Sequence, residues 1–330
     1  MKKLISLALA LVMILSLSTV VFAAEGEETT TDPYNGKLDT IASFTKEYFV
    51  TNGTAPAETF DFNVEYQSFK NNEGVDETVT TYPTVTLGDA VFNSALSATD
   101  TADVSVEISN YEDVALGIYT YKITEVVPTT KTAGTTYNSQ PIYLVVTVLR
   151  DEESMNHYVA AIHYETEEGA KIGKITNEYD AGQLTVTKEI TGNMADMSKQ
   201  FTFTITLTAP EGSKFADNQN VCSNKEAMVA KTDSVWIITV PLGDGESINI
   251  TNIPVGTTYT VEEDAETYTS THTTAADGSI EGGDSDVDVW TNELTSEVDT
   301  GIALESMPYV LILAVVAGAF VLATVKKREV

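Results

Sequence analysis

The chain contains a single cysteine, Cys222, among its 330 residues. One cysteine cannot form a disulfide within the chain, so the fold lacks the covalent cross-link that is usual in secreted proteins. Only three histidines occur, at scattered positions, and a zinc site built from histidine and cysteine is therefore not expected. We also find no convincing arrangement of serine, histidine and aspartate for a hydrolase, and we expect neither a metal nor a cofactor.

Basic residues are scarce as well. The chain has 18 Lys and Arg residues against 49 Asp and Glu residues, which gives a formal net charge of −31 at pH 7. A surface this acidic repels nucleic acids and anionic lipids. The composition therefore excludes nucleic acid as a partner.

Both ends of the chain carry export patterns. Residues 1–23 have a basic start, an apolar run and small residues at the end, which is the pattern of a secretory signal peptide. Residues 308–325 are apolar and just long enough to enter a bilayer, and three basic residues follow them. We expect an exported precursor that this C-terminal helix holds transiently in the membrane. A permanent single-pass anchor is the alternative.

The residues between these ends predict an all-β protein with two domains. Residues 24–32 are acidic and rich in threonine, and we interpret them as a flexible leader. Residues 33–180 and 181–296 are rich in Val, Thr, Tyr and Ile that alternate with period two, and clusters of turn-forming residues interrupt them. This pattern is typical of two β-sandwiches in tandem.

A three-part motif occurs twice, in the same order. Each copy contains Thr-Lys-Glu, then a tyrosine-led strand that ends in a glutamate, then Thr-Asn-Glu. The copies occupy residues 45–47, 121–125 and 176–178 in the first domain and residues 187–189, 259–263 and 291–293 in the second. Such ordered repetition supports the division into two related domains.

Strand phase places the lysine, glutamate and asparagine of each copy on an inward face. Side chains two residues apart lie on the same face of a strand. Lys46 is in phase with Phe44 and Tyr48, and Lys188 is in phase with Leu184 and Val186. The other members, which also follow aromatic or aliphatic residues in phase, are Glu125, Asn177, Glu263 and Asn292.

Two acidic residues complicate the second copy. Glu262 is a second candidate for its acid, although its phase points outward. Asp288 is in phase with Trp290, and we therefore expect the inward face of the last strand to begin only near its end.

A buried lysine, glutamate and asparagine on three strands are the groups needed for a Lys–Asn isopeptide bond. Burial disfavours charged forms, so we expect a lowered lysine pKa and a raised glutamate pKa. Neutral Lys46 could then attack the Asn177 carboxamide, while Glu125 hydrogen-bonds its oxygen and relays protons to the departing ammonia. The corresponding residues of the second domain are Lys188, Asn292 and Glu263. This reaction is self-modification, so the protein is not expected to be an enzyme; six ordinary residues at strand ends and in turns are the alternative.

These residues resemble a family, the major backbone pilins of Gram-positive pili. The similarity covers nearly all of the mature chain, and it is strongest from Leu184 to Asn292. The matching segments are residues 45–46, 123–125, 175–177, 184–188, 244–247, 253–263 and 290–292. The resemblance implies an elongated protein of two immunoglobulin-like domains, each stapled by an isopeptide bond, that forms the shaft of a pilus.

The resemblance also gives a meaning to residues 297–330. Glu-Val-Asp-Thr-Gly at residues 297–301 resembles a variant cell-wall sorting pentapeptide, which stands before the apolar segment and the basic tail. By this resemblance, a pilus sortase would cleave between Thr300 and Gly301 and would hold Thr300 as a thioester. The pilus would be covalently anchored to cell-wall peptidoglycan, and a tip adhesin and a basal pilin are further implied partners.

Polymerisation by this route requires an acceptor lysine on another copy of the chain. The family's acceptor lies shortly before the final strand of the first domain, and there we expect Lys171, with Lys174 as the alternative. The Tyr-Pro-Lys motif of many pilins is absent. A monomeric wall-anchored adhesin with the same stapled domains is the main rival interpretation, and a wall-anchored enzyme or carbohydrate-binding module is a second.

Overall fold

A computed structural model describes residues 41–296, except residues 218, 220, 221, 275 and 284. Strands, turns and loops make up this part of the chain, and the all-β prediction is confirmed. No helix within it is long and apolar enough to cross a membrane. Several predicted features lie outside the described residues, namely the signal peptide (1–23), the leader (24–32), the sorting signal (297–330) with Thr300 and Gly301, and the apolar segment (308–325).

The first sandwich consists of two five-stranded sheets and short accessory strands. Its strands are β1 (Ile41–Val50), β2 (Glu58–Phe60), β3 (Phe62–Asn71), β4 (Asp76–Glu77), β5 (Thr84–Leu87), β6 (Ala90–Phe92), β7 (Asp100–Ser109), β8 (Gly117–Glu125), β9 (Lys131–Thr132), β10 (Thr135–Thr136), β11 (Ile142–Arg150), β12 (His157–Glu165) and β13 (Lys174–Tyr179). One sheet has the order β10-β13-β1-β7-β5, and the other has the order β12-β11-β8-β3-β4.

The second sandwich also contains two five-stranded sheets. Its strands are β14 (Ala181–Thr191), β15 (Phe201–Thr208), β16 (Ser213–Lys214), β17 (Cys222–Ser223), β18 (Met228–Lys231), β19 (Val235–Leu242), β20 (Ser247–Pro254), β21 (Thr258–Glu263), β22 (Thr269–His272), β23 (Asp277–Ser279) and β24 (Ser285–Glu293). Its sheets have the orders β17-β20-β14-β24-β22 and β18-β19-β15-β21-β23.

Period-two alternation produces a separate hydrophobic core in each sandwich. Strand β15 shows the pattern, because its apolar side chains at alternate positions from Phe201 to Leu207 are buried, whereas the threonines between them are not. Each fully buried side chain of this size contributes about 1.5–3 kcal/mol relative to an exposed one. Burial of the apolar faces that the sequence predicts as inward therefore stabilises the packing of one sheet on the other.

In each sandwich the first and last strands lie side by side and run parallel. Strand β1 pairs with β13, and Tyr48 stands opposite Asn177, two residues beyond Lys46. Strand β14 pairs with β24, and Ile190 stands opposite Asn292, again two residues beyond Lys188. Each lysine is thus a diagonal neighbour of its asparagine on the same sheet face, within reach of a long side chain.

The segment from β9 to β10 of the first sandwich packs on the second. Strand β9 pairs with β16 in parallel, and Ala133, which follows β9, is buried in the core of the second sandwich. The next residue, Gly134, has a φ of +80°, which favours glycine. A Cβ at Gly134 would lie 2.8 Å from Tyr179 Cε2 and 2.9 Å from the Asp180 carbonyl oxygen.

We expect Gly134→Ala to lower the free energy of unfolding by about 2–4 kcal/mol, because it combines a left-handed backbone with a clash. Gly74→Ala is the matched control, since Gly74 has a φ of +77° but an added Cβ would meet no atom within 4 Å. The control should lose only about 1 kcal/mol. Calorimetric unfolding measures both, and equal losses would contradict the packing of this segment.

Candidate functional site

The first triad brings together three strands of the first sandwich. Lys46 on β1 is fully buried, and its Nζ lies 2.5 Å from Glu125 Oε2 at the end of β8. Asn177 on β13 donates from Nδ2 to Glu125 Oε1 at 2.5 Å. One carboxyl group therefore contacts the amine and the carboxamide nitrogen, and not the carboxamide oxygen as expected, in an interior where the side chain of Glu125 is only 1% exposed.

The amine of Lys46 is enclosed by the core and has no exposed surface. Its Nζ lies 4.7 Å from the centre of the Phe60 ring. Burial lowers the pKa of Lys46, and the hydrogen bond and charge of Glu125 offset this effect only in part. The amine of Lys46 is thus closer to losing its proton than a surface lysine is.

The second triad also consists of a lysine, a glutamate and an asparagine, but its hydrogen bonds differ from those of the first. Lys188 Nζ lies 2.8 Å from Glu263 Oε1, and both side chains have zero exposure. Asn292 Nδ2 donates to the same oxygen at 2.9 Å, while Ser270 Oγ donates to Glu263 Oε2 at 2.7 Å. Lys188 Nζ also donates to the Trp290 carbonyl at 3.3 Å.

Burial again lowers the pKa of the lysine. Lys188 Nζ lies 4.8 Å from the centre of the Phe201 ring. Desolvation is the largest influence on the pKa of Lys188, and Glu263 opposes it. Glu262, the alternative acid, is exposed on the outer face of β21. The structure therefore places Glu263, and not Glu262, beside Lys188 and Asn292.

The expected outward position of Asp288 is wrong. Asp288 is fully buried, so the inward face of β24 includes it. Its Oδ2 accepts a hydrogen bond from Trp290 Nε1 at 2.6 Å, and its Oδ1 accepts one from the Thr274 backbone N–H at 3.1 Å. These donors satisfy the carboxylate, which strand phase alone does not reveal.

The first sandwich contains a further acid, Glu58, that was not predicted from the sequence. The Glu58 carboxyl accepts hydrogen bonds from the hydroxyls of Tyr48, Thr132, Thr135 and Tyr137. Burial raises the pKa of Glu58, and the hydrogen bond from Tyr137 opposes it most strongly. The phase of Glu58 with the buried Phe60 was the only sequence signal for this position.

The two candidate acceptor lysines have different surroundings. Lys171 is exposed in the loop before β13, and its ammonium makes no ion pair or hydrogen bond within the described part of the chain. Lys174, at the start of β13, is half-exposed and lies 2.9 Å from Glu47 Oε1. The choice between them stays a prediction.

Comparisons with known proteins establish the family. A family model described as a domain of unknown function (DUF7601) matches residues 182–294. A pilin from Streptococcus pyogenes serotype M1 is 30% identical over 310 residues, which cover 84% of this chain and 87% of that protein. This chain belongs to the pilin family. It is therefore a structural protein of the cell-surface pilus rather than an enzyme.

Two solved structures support the same assignment. The crystal structure of the major pilin from Streptococcus pyogenes has a TM-score of 0.52 and 25% identity, and the match covers 79% of this chain and 100% of that chain. A glutamate-to-alanine variant of that pilin has a TM-score of 0.51, 25% identity and the same coverage. The predicted fold of two tandem immunoglobulin-like sandwiches is thus confirmed.

We expect Asp288→Ala to destabilise the second sandwich, because it leaves the buried Trp290 Nε1–H without its acceptor and removes the acceptor of the Thr274 backbone N–H. An unsatisfied buried donor costs about 1–3 kcal/mol. Asp233→Ala is the control, since Asp233 is exposed and should change stability by no more than about 0.5 kcal/mol. Calorimetric unfolding compares the two variants, and equal stabilities would contradict the role assigned to Asp288.

Proposed function

We propose that the chain is a pilus shaft subunit that staples each sandwich with a Lys–Asn isopeptide bond and is joined head to tail by a sortase. One observation carries the stapling. In both sandwiches, a buried carboxyl group contacts a buried lysine and a buried asparagine, and the two residues have the same offset across the parallel first and last strands. Coincidence explains one such triad more easily than two.

The geometry supports a balanced reaction in the first sandwich. Lys46 gives one proton to Glu125 across their contact, and its neutral Nζ attacks Asn177 Cγ. Glu125 then gives its proton to Nδ2, the Cγ–Nδ2 bond breaks and ammonia leaves. The surplus proton on the new amide nitrogen returns to Glu125. The products are one amide, one ammonia and a protonated carboxyl group.

The fold favours this reaction, and the bond would in turn stabilise the fold. The groups are held together before they react, so the step needs no encounter between separate molecules. Each bond would close a loop of more than a hundred residues, which in the chain-entropy model stabilises the fold by about 5 kcal/mol. The staples would thus replace the disulfides that a single cysteine cannot provide.

Strand directions support head-to-tail joining. Strand β13 begins beside the Lys171 loop and ends at Tyr179, next to the start of β14. Strand β24 is parallel to β14, so its end at Glu293 lies at the opposite end of the second sandwich from Ala181. The Lys171 loop and the end of β24 at Glu293 therefore lie at opposite ends of the two strand pairs, and Thr300 follows Glu293 in the sequence. A monomeric wall-anchored adhesin remains the rival.

The mass of the intact mature chain tests the staples. We expect the folded wild type to be lighter than its sequence by two ammonia molecules, because each bond releases one. Glu125→Ala and Glu263→Ala should each regain one ammonia after allowance for the substitution. Glu262→Ala is the matched control, and it should keep the full deficit because its side chain lies outside the triad. A wild type with the full sequence mass would contradict isopeptide bond formation in both triads.

Polymer assembly in cells that carry the cognate sortase tests the acceptor. Lys171→Arg should abolish covalent ladders on denaturing gels, since a guanidinium keeps the charge but is always protonated. Lys174→Arg is the control; it should retain ladders and the ion pair with Glu47. Ladders that survive in Lys171→Arg and vanish in Lys174→Arg would move the acceptor to Lys174. A single wall-released band from the wild type would favour the adhesin.

A further inference from the structure

The two triads differ at the carboxamide oxygen. In the first sandwich, Asn177 Oδ1 accepts a hydrogen bond from the backbone N–H of Asn138 at 2.8 Å. In the second, Asn292 Oδ1 is buried and finds no donor among the residues that the structure describes. The two asparagines are alike in burial, with exposures of 1% and 0%. The difference therefore lies in what surrounds the oxygen.

This oxygen is the atom on which charge develops during stapling. When Lys46 Nζ bonds to Asn177 Cγ, the carbonyl π electrons move to Oδ1, which becomes negative. The charge returns to the carbonyl when the Cγ–Nδ2 bond breaks and ammonia leaves. A donor already aimed at such an oxygen lowers the barrier, and removal of one donor from an oxyanion hole slows catalysis by about 10²–10³-fold.

Several contacts hold the Asn138 N–H in place. Asn138 lies between β10 and β11, where its own Oδ1 accepts from the Gln140 backbone N–H at 2.6 Å. The preceding residue, Tyr137, donates its hydroxyl to the buried Glu58 carboxyl and accepts from the Thr132 backbone N–H at 3.1 Å. The missed acid Glu58 thus anchors the segment that carries the donor.

We propose that the Asn138 backbone N–H is a catalytic oxyanion donor for the first staple, and that the first staple consequently forms faster than the second. This inference rests on the proposed stapling reaction. Glu58 and Tyr137 are positioning residues, because they act only through Asn138. The second sandwich relies on its carboxyl group alone within the described residues.

Time-resolved stapling of the full chain tests the proposal. The chain is made by cell-free translation, samples are denatured at intervals, and peptide mass spectrometry follows the Lys46–Asn177 and Lys188–Asn292 links separately. In the wild type, the first link should form faster. Asn138→Pro removes the N–H and should slow the first link about 100-fold, while the second link keeps its rate.

Asn138→Ala is the comparison variant, since it removes the side-chain contact with Gln140 but keeps the N–H, and it should slow the first link by less than Asn138→Pro does. Tyr137→Phe removes the anchoring hydroxyl and should slow the first link by less than Asn138→Pro does. If protease sensitivity shows that the proline variant does not fold, Tyr137→Phe still tests the proposal.

The outcomes separate this inference from the proposed function. Two wild-type links that form at equal rates, or a folded Asn138→Pro that staples as fast as Asn138→Ala, would overturn the role of Asn138 alone. Absence of both links from the wild type would overturn the stapling reaction and this inference with it.

Discussion

The structure depends on the burial of one lysine amine in each sandwich, where water does not reach it. Lys46 and Lys188 have no exposed surface, and an isolated charge in such a place would be strongly unfavourable. Each amine is tolerated because a carboxyl group lies beside it, at 2.5 Å in one sandwich and 2.8 Å in the other. The burial that makes the charged lysine costly also lowers its pKa, and under the proposed stapling reaction the neutral amine would be the nucleophile.

The sequence predicted the sandwiches and the grouping of the two triads because both follow from period-two alternation. At Asp288 strand phase was right, and the expectation that a carboxylate would not lie on the inward face was wrong, because an indole N–H and a backbone N–H donate to it there. Glu58 and Asn138 were missed for a different reason. Neither residue belongs to the repeated motif: Glu58 lies on a three-residue strand, and Asn138 contacts Asn177 through its backbone N–H, which the residue type does not reveal.

The junction between the sandwiches is short and densely bonded. Only Asp180 separates β13 from β14, and its carboxylate accepts from Asn52 Nδ2 at 2.8 Å and from the Ala181 backbone N–H at 2.9 Å. Across the junction, Gln219 Nε2 donates to the Tyr179 hydroxyl at 2.6 Å. Few backbone torsions are left free here, so the last strand of one sandwich continues directly into the first strand of the next.

This continuity has a mechanical consequence under the proposed cross-links. Tension that enters at Lys171 would run along β13 and β14 to Lys188, cross the second amide to Asn292 and leave through the C-terminal residues. The path of this tension would bypass nearly all of the second sandwich and would not include the Lys46–Asn177 amide. The Lys188–Asn292 amide would therefore carry the tension, whereas the Lys46–Asn177 amide would only join the first and last strands of its own sandwich.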